Sequence, residues 1–158
     1  MVVFVDSSLM KPEKRYSLSG LKKTFAELPQ IRRLGIQYLK LERGHCLLQV
    51  GYSQEMVGNQ DTGLIHGGII TTLLDTAGGS AAFSTVADGS SVATLDLRLD
   101  YLTQAKPGAA IMGLAECYHQ TRNIVFVRGY AYHHSSKKPI ANFVASYMVG
   151  SVGFNPDV

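Results

Sequence analysis

Cysteine is scarce: Cys46 and Cys117 are the only two in 158 residues. They lie far apart, without Cys-x-x-Cys spacing or companion histidines, which excludes a disulfide framework and a structural zinc site. No metal is therefore expected, and a reducing, cytosolic setting follows by default. Charged residues are sparse too, at 17%, against a usual share of about 25%. The 15 Lys and Arg exceed the 12 Asp and Glu by only +3. So small and scattered an excess is not the basic stripe of a nucleic-acid binder, yet it still admits an anionic small ligand. No apolar run approaches the roughly 20 residues that cross a bilayer. Met1 to Val5 is apolar but lacks the basic start and cleavage site of a secretory signal. The chain reads as a soluble intracellular protein, with no repeat, low-complexity tract or linker to divide it.

What is abundant is apolar residues, 46% of the chain, enough for one well-packed domain. The expected organisation is a tail and short helix over 1–33, a main domain over 34–150 and a tail over 151–158, both ends lying peripherally. Within Ser17 to Leu28, Leu18, Leu21, Phe25 and Leu28 recur at helical spacing, with Ser17 able to cap the start and Pro29 closing the end. Leu34, Ile36, Tyr38 and Lys40 alternate, and after Arg43-Gly44 comes Cys46 to Tyr52, which predicts two strands joined by a tight turn. Met56 to Leu64 reads as a loop. His66 to Phe83 is small and aliphatic with hardly a charge, so it predicts one helix buried on nearly every side.

Four strands follow in the second half, Val92 to Leu102, Ala109 to His119, Ile124 to His134 and Ile140 to Val149, separated by turn chemistry. In the first of these, Leu95, Leu97, Leu99 and Tyr101 are assigned to a buried face, and Thr94, Asp96, Arg98 and Asp100 to a wet one. The element order predicts an α+β fold, an antiparallel meander wrapped around the central helix.

Asp75 is out of place in that helix, because an ionised carboxylate in apolar surroundings costs several kcal/mol unless it is paired, hydrogen-bonded or at a cavity. It is a candidate catalytic group; it could equally face a solvated edge or bond a backbone donor. The run Gly63-Leu64-Ile65-His66-Gly67-Gly68 opens the same helix, where unpaired N–H groups and the partial positive charge of the helix can polarise a carbonyl or hold an anion. Close packing against a sheet would also account for those glycines. Asp75 lies eight residues beyond Gly67, about 12 Å along a helix. If both are catalytic, a site must pair Gly67 of one chain with Asp75 of a second copy, which implies a two-fold dimer. Other chemistries find less support. No Gly-x-Ser-x-Gly elbow occurs, and neither Gly78-Gly79 nor Asp88-Gly89 forms a phosphate fingerprint. His133-His134 is expected as a solvated turn-end pair pointing to opposite faces.

The run Gln60-Asp61-Thr62-Gly63-Leu64-Ile65-His66-Gly67-Gly68, followed nine residues after His66 by Asp75 in Leu73-Leu74-Asp75-Thr76-Ala77, resembles the hotdog-fold acyl-CoA thioesterases of the PaaI type. The resemblance covers roughly 34–149 and includes Tyr101-Leu102-Thr103-Gln104-Ala105-Lys106-Pro107-Gly108. It implies a long helix wrapped by a curved antiparallel sheet, working as a homodimer or homotetramer with sites at the dimer interface. It further implies that Asp75 is nucleophile or general base and that the Gly67 amide polarises the thioester carbonyl. Gln60, with Asn59 as the neighbouring alternative, would orient water or thioester. His66 and Gly68 would support the substrate, and Thr94 would assist the carboxylate. Arg122 is the first choice for the phosphates of coenzyme A, with Lys106, Lys137 and Lys138 behind it. No cofactor is implied beyond coenzyme A as part of the substrate. Two other classes stay open: a hotdog dehydratase acting on acyl-carrier-protein substrates, against which Asp rather than Glu at position 75 argues, and a non-catalytic acyl-CoA-binding domain.

Overall fold

The computed structural model describes residues 17–86, 90–134 and 138–150. The Ser17 hydroxyl accepts from Gly20 N–H at 3.1 Å and starts α1, Leu18–Ala26. Pro29 does not merely end this helix; its ring fixes the first turn of a second one, α2, Pro29–Arg33. The two helices are not peripheral, since Leu21, Phe25 and Ile31 are buried in the main core.

Strands β1, Gln37–Glu42, and β2, His45–Val50, meet at Gly44, whose φ of +76° is one that glycine adopts without strain. The segment expected as a loop contains a small ribbon instead: β3, Val57–Asn59, pairs antiparallel with β4, Leu64–Ile65. It leads directly into α3, Gly67–Phe83. Then come β5, Val92–Tyr101; β6, Ile111–Gln120; β7, Ile124–Tyr132; and β8, Pro139–Val149.

The large sheet is antiparallel throughout, in the order β1-β2-β6-β7-β8-β5. Only β6, β7 and β8 form a simple meander; β5 leaves β6 to β2 and pairs with β8 at the far edge. Helix α3 packs on the concave face, with Leu73, Leu74, Ala77, Ala81 and Ala82 buried against the sheet. This is the expected α+β arrangement of a long helix in a curved sheet.

The curvature comes with a bulge in each of β1, β5 and β6, beside a register shift between Ala131 and Tyr132 where β7 pairs with β8. In β1 the register shifts between Tyr38 and Lys40, in β5 between Thr94 and Asp96, and in β6 between Cys117 and His119. The extra residues are Leu39, Leu95 and Tyr118, all exposed. The bulge in β1 breaks the expected alternation, leaving Tyr38 buried and Lys40 in solvent. The bulge in β5 corrects the face assignment made above: Leu95 is turned out, 49% exposed, and Tyr101 at the strand end is 51% exposed rather than buried. Thr94, though solvent-exposed as expected, lies on the helix-facing side with the half-buried Leu97 and Leu99.

His133 corrects a second expectation, because it is buried while His134 is exposed. Its Nε2 accepts from Lys106 N–H at 2.8 Å, which places the proton on Nδ1 for donation to Ala110 O at 2.8 Å. The ring therefore clamps the connection between β5 and β6. His133→Leu strands both backbone groups; the expected loss is about 2 kcal/mol, or roughly 4 to 8 °C in Tm for a chain of this size. Thermal unfolding measures it, and a shift under 2 °C would contradict the clamp.

Candidate active site

The mouth of α3 is built by the small ribbon. His66 N–H donates to Met56 O at 2.8 Å, and a Cβ on Gly58 would come within 2.9 Å of His66 Cα, so only glycine lets the ribbon lie this close. His66 is the N-cap: its Nδ1 accepts from Gly68 N–H at 3.0 Å. An accepting Nδ1 leaves the ring proton on Nε2, which faces outward as a donor. Gly68 N–H is thus occupied, whereas Gly67 N–H has no acceptor among the described residues. Tyr101, at the end of β5, donates to Gly67 O at 2.8 Å and shares a hydrogen bond of 2.8 Å with Thr71 Oγ1.

Asn59 and Gln60 differ in what they are free to do. Asn59 Oδ1 accepts from Asp61 N–H at 3.0 Å and Thr62 N–H at 3.2 Å, holding the turn between β3 and β4. Gln60 is exposed at the tip of that turn and makes no side-chain hydrogen bond among the described residues.

Asp75 lies two turns further along α3 and is half-buried. Thr94 Oγ1 donates to its Oδ1 at 3.0 Å. Tyr147 OH lies 3.2 Å from its backbone carbonyl and 3.4 Å from Oδ1. The carboxylate faces a cavity of about 200 Å³ bounded by Phe25, Tyr38, Phe83, Val92 and Thr94. Of the two structural alternatives left open by the sequence, the backbone donor is not what Asp75 bonds, since its partners are side-chain hydroxyls; half-buried at an open cavity, it keeps the solvated edge. A second cavity, about 360 Å³, lies at the Gly67 end of α3 beside Ile70 and Tyr101.

Within one chain the structure brings Asp75 to Thr94, and His66, Gly67 and Gly68 to one helix mouth. It does not bring the two groups together, because α3 is unbroken between them. Arg122 sits in the exposed turn between β6 and β7, at the end of the sheet where Val125, Tyr147 and Thr94 lie across from one another. Lys106 lies in the exposed loop after β5, and Lys137 falls outside the described residues. Sequence reasoning missed Tyr147 and Tyr101. The first had a signal, a lone phenol in the inward row of Phe143, Ala145 and Tyr147.

Neither cysteine supplies a ready nucleophile. Burial pushes the Cys46 thiol up to about 12 and the Cys117 thiol up to about 11, from an ordinary value near 9. Among the described residues no three His, Cys, Asp or Glu side chains cluster as a metal site.

Residues 62–139 match the family described as the thioesterase superfamily. A solved structure from Pseudomonas aeruginosa is 37% identical, with a TM-score of 0.73, over 83% of this chain and 97% of that one. The chain belongs to the thioesterase superfamily. The stretch matched by the superfamily takes in His66, Gly67, Asp75, Thr94 and Arg122. The medium/long-chain acyl-CoA thioesterase YigI of Salmonella typhimurium is 28% identical over 91% of this chain and 99% of its own length. The phenylacetic acid degradation protein PaaI of Thermus thermophilus, solved as a mutant, shares the fold at 22% identity and a TM-score of 0.67, over 76% of this chain and 97% of that one. No helix among the described residues is long and apolar enough to cross a membrane.

The raised thiols give a direct expectation. At pH 8 the folded protein should react with iodoacetamide at Cys117 roughly a hundredfold more slowly than an ordinary thiol, the ratio of thiolate fractions, and at Cys46 more slowly still. Mass spectrometry of timed samples measures both rates.

Proposed function

We propose that this protein is an acyl-CoA thioesterase that hydrolyses a thioester to a free acid and coenzyme A. The observation that carries the reading is the Asp75 carboxylate, held by Thr94 at the wall of a cavity large enough for an acyl group. An apolar cavity of about 150 Å³ accommodates a benzene ring, so the 200 Å³ here suits an acyl tail or a small aryl group. The names of the YigI relatives support acyl-CoA as the substrate class.

The thioester carbonyl oxygen accepts from Gly67 N–H, where the positive end of α3 stabilises the charge that develops on it. Asp75 takes a proton from water as the water attacks the carbonyl carbon, or attacks that carbon itself. The tetrahedral intermediate collapses, the carbon–sulfur bond breaks, and coenzyme A leaves as a thiolate. On the general-base route it takes up the proton that Asp75 holds. On the nucleophilic route water then opens the acyl–Asp75 anhydride, releasing the acid, the Asp75 carboxylate and the proton that the thiolate takes up. His66 Nε2–H at the helix mouth, and the Gln60 amide at the exposed tip of the ribbon that leads into it, are the groups offered to orient the thioester. Asn59 holds the turn that presents Gln60, and Gly68 keeps the cap small. Arg122 and Lys106 are the cations offered to the coenzyme phosphates.

Gly67 and Asp75 are about 12 Å apart on one helix, so the reading requires the Gly67 of one copy and the Asp75 of another. Strand β5 supports such a homodimer, because among the described residues it is a sheet edge with an unpaired backbone row and with Leu95 and Tyr101 exposed. A homotetramer would pair two such dimers. The free cysteines accord with a reducing cytoplasm.

Thiol release from short, medium, long and aryl acyl-CoAs tests the activity. Asp75→Asn should lower turnover by about 10² to 10⁴; a loss under tenfold would overturn the assignment. Absence of hydrolysis for every acyl-CoA would point to a binding domain or a carrier-protein enzyme. The shared site has its own test. Gly67→Pro deletes the amide at a position where proline is tolerated. Unfolding and refolding it together with Asp75→Asn, each inactive alone, should restore roughly a quarter of the parent activity, because half of the reassorted dimers carry one intact site of two. No recovery would mean that Gly67 and Asp75 do not serve one shared site.

A further inference from the structure

We infer that Tyr147 is the positioning residue of the Asp75 carboxylate, admitted to the helix surface by Gly78. The inference rests on the reading of Asp75 as base or nucleophile and adds a residue to it. Tyr147, on β8, is the bulkiest fully buried side chain among the described residues, 1% exposed. A phenol of that size reaches the middle of α3 only because the facing turn carries Gly78 and Gly79. A Cβ on Gly78 would overlap the Tyr147 oxygen and approach the Phe143 ring at 3.1 Å. The paired glycines, which form no phosphate-binding loop, are the recess that receives this ring.

The phenol hydroxyl lies 3.2 Å from Asp75 O and 3.4 Å from Oδ1, so its single hydrogen is shared between the backbone and the side chain of one residue. Thr94 Oγ1 donates to the same Oδ1 at 3.0 Å. Both donors converge on one carboxylate oxygen, which fixes the rotation of the group and leaves Oδ2 without a protein donor among the described residues. One oxygen is held and the other is available for the proton of the attacking water or for attack itself.

Tyr147 serves as a donor and not as an acid in its own right. Burial, and then the negative charge of Asp75, push its ionisation far above the ordinary phenol range. The other titratable groups nearby are Tyr38 on β1, bonded to Ser80 at 2.7 Å, and Cys117 on β6, both with raised values. No Lys, Arg, His or Glu bounds the cavity among the described residues, so no cation competes with the two hydroxyls for Asp75.

Tyr147→Phe keeps the ring and deletes the donor. The expected result is kcat lowered about tenfold, the loss that follows removal of one hydrogen bond to a charged group, with KM within twofold of the parent and an unchanged far-ultraviolet circular dichroism spectrum. Gly78→Ala should produce a similar fall in kcat by displacing the phenol. Added to Tyr147→Phe it should lower kcat less than it does alone, because no hydroxyl remains to displace. A kcat for Tyr147→Phe within twofold of the parent overturns the inference, as does a fall explained wholly by a lower folded fraction. Asp75→Asn run beside them separates the two failures: if it remains active, the reading of Asp75 falls and this inference with it. If it is inactive while Tyr147→Phe turns over normally, only the inference falls.

Discussion

The close approach of α3 to the sheet is the constraint on which the rest of the molecule depends. It is made possible by small residues at the contact: Ala77, Gly78, Ala81 and Ala82 on the helix and Gly113 on β6. A Cβ at Gly113 would come within 2.9 Å of Leu73 Cγ on the helix, and within the sheet one at Gly129 would overlap the Leu114 carbonyl and crowd the Phe143 ring. With the backbones so near, interior packing leaves no slack for even one methylene. Two large side chains enter where a glycine opposes them: Tyr147 faces Gly78, and Leu73 faces Gly113. A helix seated this deeply holds its polar residues to a fixed depth and heading, and this is how a lone aspartate comes to be half-buried at a cavity wall.

The same helix acts as a ruler. Seventeen residues without a break set the amide of Gly67 near one end and the carboxylate of Asp75 near the middle. Different neighbours serve each: the ribbon of β3 and β4 and the tip of β5 gather at the first, while β5, β8 and α1 gather at the second. The N-terminal helix belongs to the second group through Phe25, which is both a core residue and part of the cavity wall. The first 16 residues aside, the segment before Leu34 is thus built into the domain and contributes to the proposed acyl site.

Much of this was legible in the chain. The apolar stretch from His66 to Phe83, with hardly a charge, made a buried helix the simplest reading, and the single acid within it made Asp75 the residue to explain. The helix cap at Ser17 and the turn at Gly44 follow from local chemistry, whereas the cap at His66 came from the structure. What was not legible depends on partners distant in sequence. A bulge shifts the phase of a strand by one residue, and nothing in the pattern of β5 announces that Leu95 is the residue expelled. Counting by twos therefore sent Thr94 to the wet face, although its hydroxyl meets Asp75. His133 looked like a solvated turn residue because the groups it binds, at Lys106 and Ala110, lie more than twenty residues earlier. Pro29 was taken as a stop, when proline serves equally well as the first residue of a new helix.

The cap on α3 has one more consequence, for the kind of molecule its mouth can recognise. The amides of Gly68 and Ile69 both donate to His66, to its ring and to its carbonyl, at 3.0 Å. Helix mouths that cradle phosphate leave several amides pointing at several oxygens. Here a histidine from the chain itself fills most of that cradle and leaves a single vacancy at Gly67. Such a mouth is monodentate: it favours an acceptor with one oxygen to present and discriminates by count against a phosphate or a sulfate, which would leave the rest of its oxygens unmet.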